Sequence, residues 1–87
     1  MNAERTAVVA SEVGLHARPA AVFARAAKDT GLPVTIALDG GEPVDATSVL
    51  SVLTLGAGHG HRVTLRAEGD GAAAALDHLA GLLESTG

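Results

Sequence analysis

The sequence predicts a two-layer α+β domain, a single sheet with helices packed on one of its faces. Three observations lead there. Segments rich in β-branched residues alternate polar and apolar side chains, which leaves the sheet one wet face and one face to cover. Alanine- and leucine-rich stretches between and after them repeat their apolar residues at helical spacing. A chain of 87 residues has room for one small domain, 1–87, with a thin core.

Taken in order, Arg5–Ala10 is a short β-branched, apolar run and reads as the first strand. The stretch VGLHARPAAVFARAA, Val13 to Ala27, opens a helix that ends near Lys28–Thr30, where Gly31 and Pro33 stop it. Val34, Ile36 and Leu38 then alternate with Thr35 and Ala37 in a second strand. Asp39–Gly41 signals a hairpin turn, and Glu42–Asp45 a short return strand. Thr47–Leu55 reads as a short helix, and the glycines of Gly56–Gly60 break the chain after it. From His61 to Ala67 the alternation returns, with Val63, Leu65 and Ala67 facing inward. Asp70 is the expected N-cap of a last helix whose Ala72, Leu76, Leu79 and Leu83 fall on one side. The order is β-α-β-β-α-β-α.

Composition narrows the function. Tryptophan and tyrosine are absent and Phe23 is the single aromatic residue, so Val, Leu, Ile and Ala must build the core. With no cysteine there is no disulfide framework and no thiolate metal site. No apolar run approaches the roughly 18–20 residues of a membrane span. The N-terminal stretch lacks the basic start and apolar run of a signal peptide, so the cytoplasm is the expected location. Ten acidic residues against six basic ones, net charge −4, argue against nucleic acid as the main partner.

The basic residues are unevenly placed. Wound as a helix at about 100° per residue, Gly14–Lys28 puts Ala20, Phe23, Ala24 and Ala27 toward the sheet. Arg18, Val22 and Arg25 lie opposite, with Lys28 at their flank, so three of the six basic residues share one exposed face. Pro19 has no N–H to lose and suits the first turn. His16 then sits at or just before the helix start, where the amides of Ala17 and Arg18 have no intrahelical partner. The helix end carries about half a positive charge. Together with the Arg18 guanidinium this makes an anion site beside a nucleophilic imidazole. The stretch is suited to hold a phosphorylated histidine, although a histidine near a helix start also serves as a plain cap or surface residue.

The segment GLHARPA, Gly14–Ala20, resembles the active-site signature of HPr, the histidine-containing phosphocarrier family of the phosphoenolpyruvate:sugar phosphotransferase system. Ala46–Gly60 is similar to that family's serine-centred helix and following loop. Val63–Leu83 resembles its last strand and C-terminal helix. The resemblance implies an open-faced β-sandwich, four antiparallel strands covered on one face by three helices. It implies that His16 accepts a phosphoryl group on Nδ1 from enzyme I and passes it to IIA proteins or domains of sugar permeases. The chain would thus be a carrier, with no cofactor, acting as a monomer. Arg18 matches the family's phosphate-steadying arginine. Val49, Leu50 and Leu53 match the apolar docking patch, and Arg25 and Lys28 the basic positions beside it. Ser48 matches a serine that a kinase phosphorylates in many Gram-positive relatives, which leaves room for a serine kinase/phosphorylase and a transcription regulator as partners. Val13 stands where relatives often carry Thr, Asn or Ser, so a side-chain polar contact to His16 is lost there, and Thr47 and Ser51 stand where they often carry lysine, so a weaker basic rim is expected.

Ser48 also has a plain reading, since Asp45, Thr47 and Ser48 are natural caps for the short helix. His59 and His61 form an H-x-H pair, but no third ligand stands nearby and no metal site is assigned. His78 is expected on the solvated side of the last helix. The rival class is a small ligand-binding or regulatory α+β domain without covalent chemistry. A carrier serving a regulatory or dihydroxyacetone-kinase branch would use the same site.

Overall fold

A computed structural model describes residues 2–85, which build the elements in the expected order. These are β1 (Asn2–Val8), α1 (Ala17–Asp29), β2 (Val34–Leu38), β3 (Val44–Asp45), α2 (Val49–Thr54), β4 (Arg62–Glu68) and α3 (Ala72–Glu84). The four strands form one antiparallel sheet in the order β1-β4-β2-β3. The helices lie on one face and the other is open, the open-faced α+β sandwich that the pattern and the resemblance predict.

Register follows from alternation. Val63, Leu65 and Ala67 of β4 are buried under the helices, and Arg62, Arg66 and Glu68 face water. Their partners share those faces: Ala7 opposite Val63 and Ile36 opposite Leu65 within, Glu4 opposite Arg66 without. On the wet face Arg66 Nε donates to Glu4 Oε1 at 2.6 Å. In α1 the residues Ala20, Phe23, Ala24 and Ala27 are buried, the face expected from the periodicity. The α3 stripe Ala72, Leu76, Leu79 and Leu83 is buried too, with Ala80 added.

Several boundaries differ from the sequence reading. β1 begins at Asn2 and stops at Val8, because its ladder with β4 runs from Asn2–Glu68 to Val8–Arg62. The return strand shrinks to Val44–Asp45. Asp70 does not cap α3. Gly71 holds that place with a φ of +79° and no side-chain bond, because Gly69 and Gly71 both take positive φ to reverse the chain. Asp70 is left one residue outside the helix.

Arg5 lies on the helix side of the edge strand, opposite buried Leu65. Its guanidinium reaches out to α3, with Nη1 donating to Asp77 Oδ1 at 3.1 Å and Nη2 to Glu84 Oε1 at 3.5 Å. An inward-facing charge on an edge strand discourages further strand pairing, and here it also ties α3 to the sheet.

Candidate functional site

The site is built where the Ser11–Leu15 loop enters α1. Gly14 takes a φ of +75°, a conformation that L side chains avoid, and a Cβ there would come within 2.7 Å of the Ala57 carbonyl oxygen and 2.8 Å of Gly58 Cα. Only glycine fits. Leu15, next in the chain, is buried and its N–H donates to Ala57 O at 2.9 Å. With Leu15 anchored inward, His16 is turned out to solvent.

His16 is the N-cap of α1, with extended backbone (φ −84°, ψ −175°) and no side-chain capping bond. Its imidazole is therefore not committed to the helix. Its carbonyl accepts from Ala20 N–H at 2.9 Å and closes the first turn. Ala17 and Arg18 are the first two helical residues, and neither of their amides finds a partner among the described residues. Pro19 follows as the third, so no N–H is wasted at the position where a third orphan donor would stand. Arg18 is exposed and has no ion-pair partner among the described residues. The sequence-predicted acceptor, amides and guanidinium thus meet at one corner.

An open cleft of about 1050 Å³ adjoins this corner. His16, Arg18, Val22, Glu12, His59 and Leu82 are among the residues lining it. The sequence reading did not place Glu12, His59 or the end of α3 at the site. Glu12 is only four residues before His16, whereas His59 and the end of α3 arrive from segments distant in the chain and carry no local signal. His59 was weighed only as half of an H-x-H pair. That pair is split in role: His61 Nδ1 accepts from Gly58 N–H at 2.8 Å, while His59 makes no such bond. Among the described residues no three His, Cys, Asp or Glu side chains group closely enough to hold a metal ion.

The remaining candidates, Arg25, Lys28, Ser48, Val49, Leu50 and Leu53, are not among the residues lining the cleft. Arg25 makes an exposed i,i+4 contact with Asp29 at 4.0 Å, and Lys28 is exposed without an ion-pair partner among the described residues. On α2, Leu50 is 72% exposed and Val49 39%, whereas Leu53 is half-buried and packs on the core. Val13 and Val22 are also exposed, so apolar surface brackets His16 as well as α2. Ser48 is the N-cap of α2, its Oγ accepting from Ser51 N–H at 3.2 Å. Before it, Asp45 Oδ1 accepts from the Thr47 hydroxyl at 2.7 Å and its amide at 2.9 Å. Those two bonds, the hydroxyl first, hold the Asp45 carboxyl below its ordinary pKa. His78 is exposed on α3, as expected.

A nucleophilic ring at an anion-receiving helix end, with a guanidinium beside it, defines a class of small phosphoryl-carrier proteins. The comparisons make that class specific. The family model for the PTS HPr component phosphorylation site matches residues 3–85. The phosphocarrier protein HPr of Streptomyces coelicolor is 53% identical over 81 residues, 93% of this chain and 87% of that protein. The HPr of Haloferax volcanii is 46% identical over 83 residues, 94% of this chain and 93% of that protein. Among solved structures, HPr from Bacillus anthracis superposes with a TM-score of 0.87 at 33% identity, covering 94% of this chain and 96% of that one. The chain belongs to the HPr family, the phosphocarriers of the phosphotransferase system.

Proposed function

We propose that His16 is the phosphoryl acceptor of this carrier and that Arg18 and the Ala17 and Arg18 amides hold the transferred group. One observation carries the reading: His16 is an exposed, uncapped imidazole at a helix start whose first two amides are free. The Nδ1 lone pair attacks phosphorus, and the bond from phosphorus to the donor breaks with its electron pair leaving on the donor. The phosphoryl group carries about −1.5 to −2 charge, comparable to a phosphorylated side chain, and its oxygens accept from the two amides and the guanidinium. The helix dipole favours the same charge.

In this reading the donor is phosphorylated enzyme I and the acceptors are IIA proteins or domains of sugar permeases. The chain acts in the cytoplasm as a single-domain monomer, 1–87, and turns over no substrate of its own. Arg25 and Lys28 steer the partner, and Val49 and Leu50 make the dry contact. Leu53 contributes less than its neighbours, because much of it already faces the core. Ser48 caps α2 and is the candidate for regulatory phosphorylation by a serine kinase, with a transcription regulator as a further partner.

The test is incubation with phosphoenolpyruvate and enzyme I. The wild-type chain is expected to gain one acid-labile phosphate, and His16→Ala none while staying folded. Phosphate entering His16→Ala at the wild-type rate would overturn the assignment.

A further inference from the structure

We propose that His59 is a second phosphoryl-site residue, its imidazole contacting the oxygens of a group held on His16. The proposal rests on the reading of His16 as acceptor. Both residues line the same open cleft. His59 is exposed and makes no hydrogen bond or ion pair among the described residues, so its ring is available to an incoming anion.

Its position comes from a rigid turn. His61 N–H donates to the Gly58 carbonyl at 3.1 Å, and Gly58 N–H donates back to His61 Nδ1 at 2.8 Å. Gly60, with a φ of +82°, supplies the left-handed residue such a turn requires. His59 is therefore held in a four-residue turn closed on both sides, and His61 is its positioning residue. Three bonds moor this segment. Val9 N–H donates to His61 O at 3.0 Å, Gly60 N–H donates to Val9 O at 2.9 Å, and Ala57 O accepts Leu15 N–H at 2.9 Å. The last reaches the residue immediately before His16. At Gly14 the two backbones touch so closely that no Cβ fits between them. His16 and His59 thus leave adjacent, mutually fixed segments toward one cleft.

The chemistry gives His59 a role there. A phosphoryl group has three oxygens and close to two negative charges to satisfy. Two amides and one guanidinium stand ready on α1, while Glu12 lines the same cleft and opposes the charge. Among the described residues the charged and titratable groups lining the cleft are thus Glu12, His16, Arg18 and His59. An imidazole N–H from His59 adds a donor from a second loop lining the same cleft. The contact moves no proton in the transfer itself. It stabilises the phosphorylated carrier, and by reciprocity the phosphoryl group acts equally on His59.

The experiment compares wild type with His59→Ala, His59→Gln and His59→Lys, with His16→Ala as control, each charged from phosphoenolpyruvate through enzyme I. Bound phosphate, the transfer equilibrium with enzyme I at pH 6 and pH 8, and the imidazole NMR signals are measured. Phosphorylation of the wild type should shift the His59 ring signals. His59→Ala should still take the group, with the equilibrium moved about three- to tenfold toward enzyme I. His59→Lys should recover the equilibrium at both pH values, and His59→Gln should fall between. His59 signals unmoved by phosphorylation, or a His59→Ala equilibrium equal to wild type at both pH values, would overturn the proposal. A wild type that takes no phosphate, or a His16→Ala that takes as much, overturns the acceptor reading and this one with it.

Discussion

Two adjacent residues have opposite fates at the site: Leu15 is buried and His16 is exposed. The burial of one aims the other, and Gly14 makes both possible. Gly14→Ala should therefore damage the site without touching its chemistry. Positive φ alone costs a side chain about 1–2 kcal/mol, and the new Cβ would also press on backbone that cannot swing aside. Urea unfolding should show an unfolding free energy lowered by at least that much, and phosphoryl acceptance should fall with it. Arg18→Ala tests the opposite case. Its side chain is exposed and unpaired among the described residues, so stability should hold. Charge-assisted hydrogen bonds of about 1.5–3 kcal/mol are lost, so transfer to and from enzyme I should slow about ten- to a hundredfold. Rapid-quench kinetics in both directions measure it; unchanged rates would make Arg18 a bystander.

Among the elements, α2 depends most on its entry. It has six residues, too few to stand on propensity, so its cap and its packing hold it. Ser48→Ala removes the bond to Ser51 N–H and should cost about 0.5–2 kcal/mol. The turn before it adds an acid sensitivity. The folded-state pKa of Asp45 is depressed, so its stabilising contribution is present above the unfolded value and is lost as pH falls through the folded one. Stability should therefore decline below about pH 4. Asp45→Asn should flatten that part of the profile while Thr47→Val, which removes the larger of the two bonds, should flatten it partly. Equilibrium unfolding between pH 2 and pH 6 is the measurement. An identical acid limb in all three chains would remove the turn from the account.

For the molecule as a whole, the question is how a chain of net charge −4 would meet the partner proposed for it. Screening reaches about 8 Å at physiological ionic strength, while the molecule is 33 Å long and 24 Å wide. The partner therefore meets local charge, which along the exposed side of α1 is Arg18, Arg25 and Lys28. Arg25→Glu should slow association with enzyme I, with the defect shrinking as salt rises. Leu50, largely exposed and free of the core, should act on dissociation instead. Leu50→Ala should speed it at every salt concentration. Stopped-flow binding across a salt series separates the two. A salt-independent Arg25→Glu defect would reduce the stripe to a solvated face.

Much of this architecture is readable from local pattern. The buried face of α1 was given by the spacing of Ala20, Phe23, Ala24 and Ala27, because a helix repeats over a few residues and its apolar stripe must be covered. The same holds for the α3 stripe and for the placement of His16 at a helix start, which Pro19 announces. The cap of α3 was misread at Asp70, because the requirement for reversed backbone at Gly69 and Gly71 outweighed a side-chain cap. That Arg5 points toward α3 rather than water depends on its register opposite Leu65, which no local alternation specifies. The corner proposed to hold the phosphoryl group is half of each kind. Its nucleophile, amides and guanidinium sit within three consecutive residues, His16 to Arg18, and short-range geometry suffices to bring them together. The wall that His59 occupies does not follow from any window of sequence. It exists because two loops far apart in the chain share a backbone hydrogen bond and a contact too close for a side chain at Gly14, and only the folded chain brings them within reach.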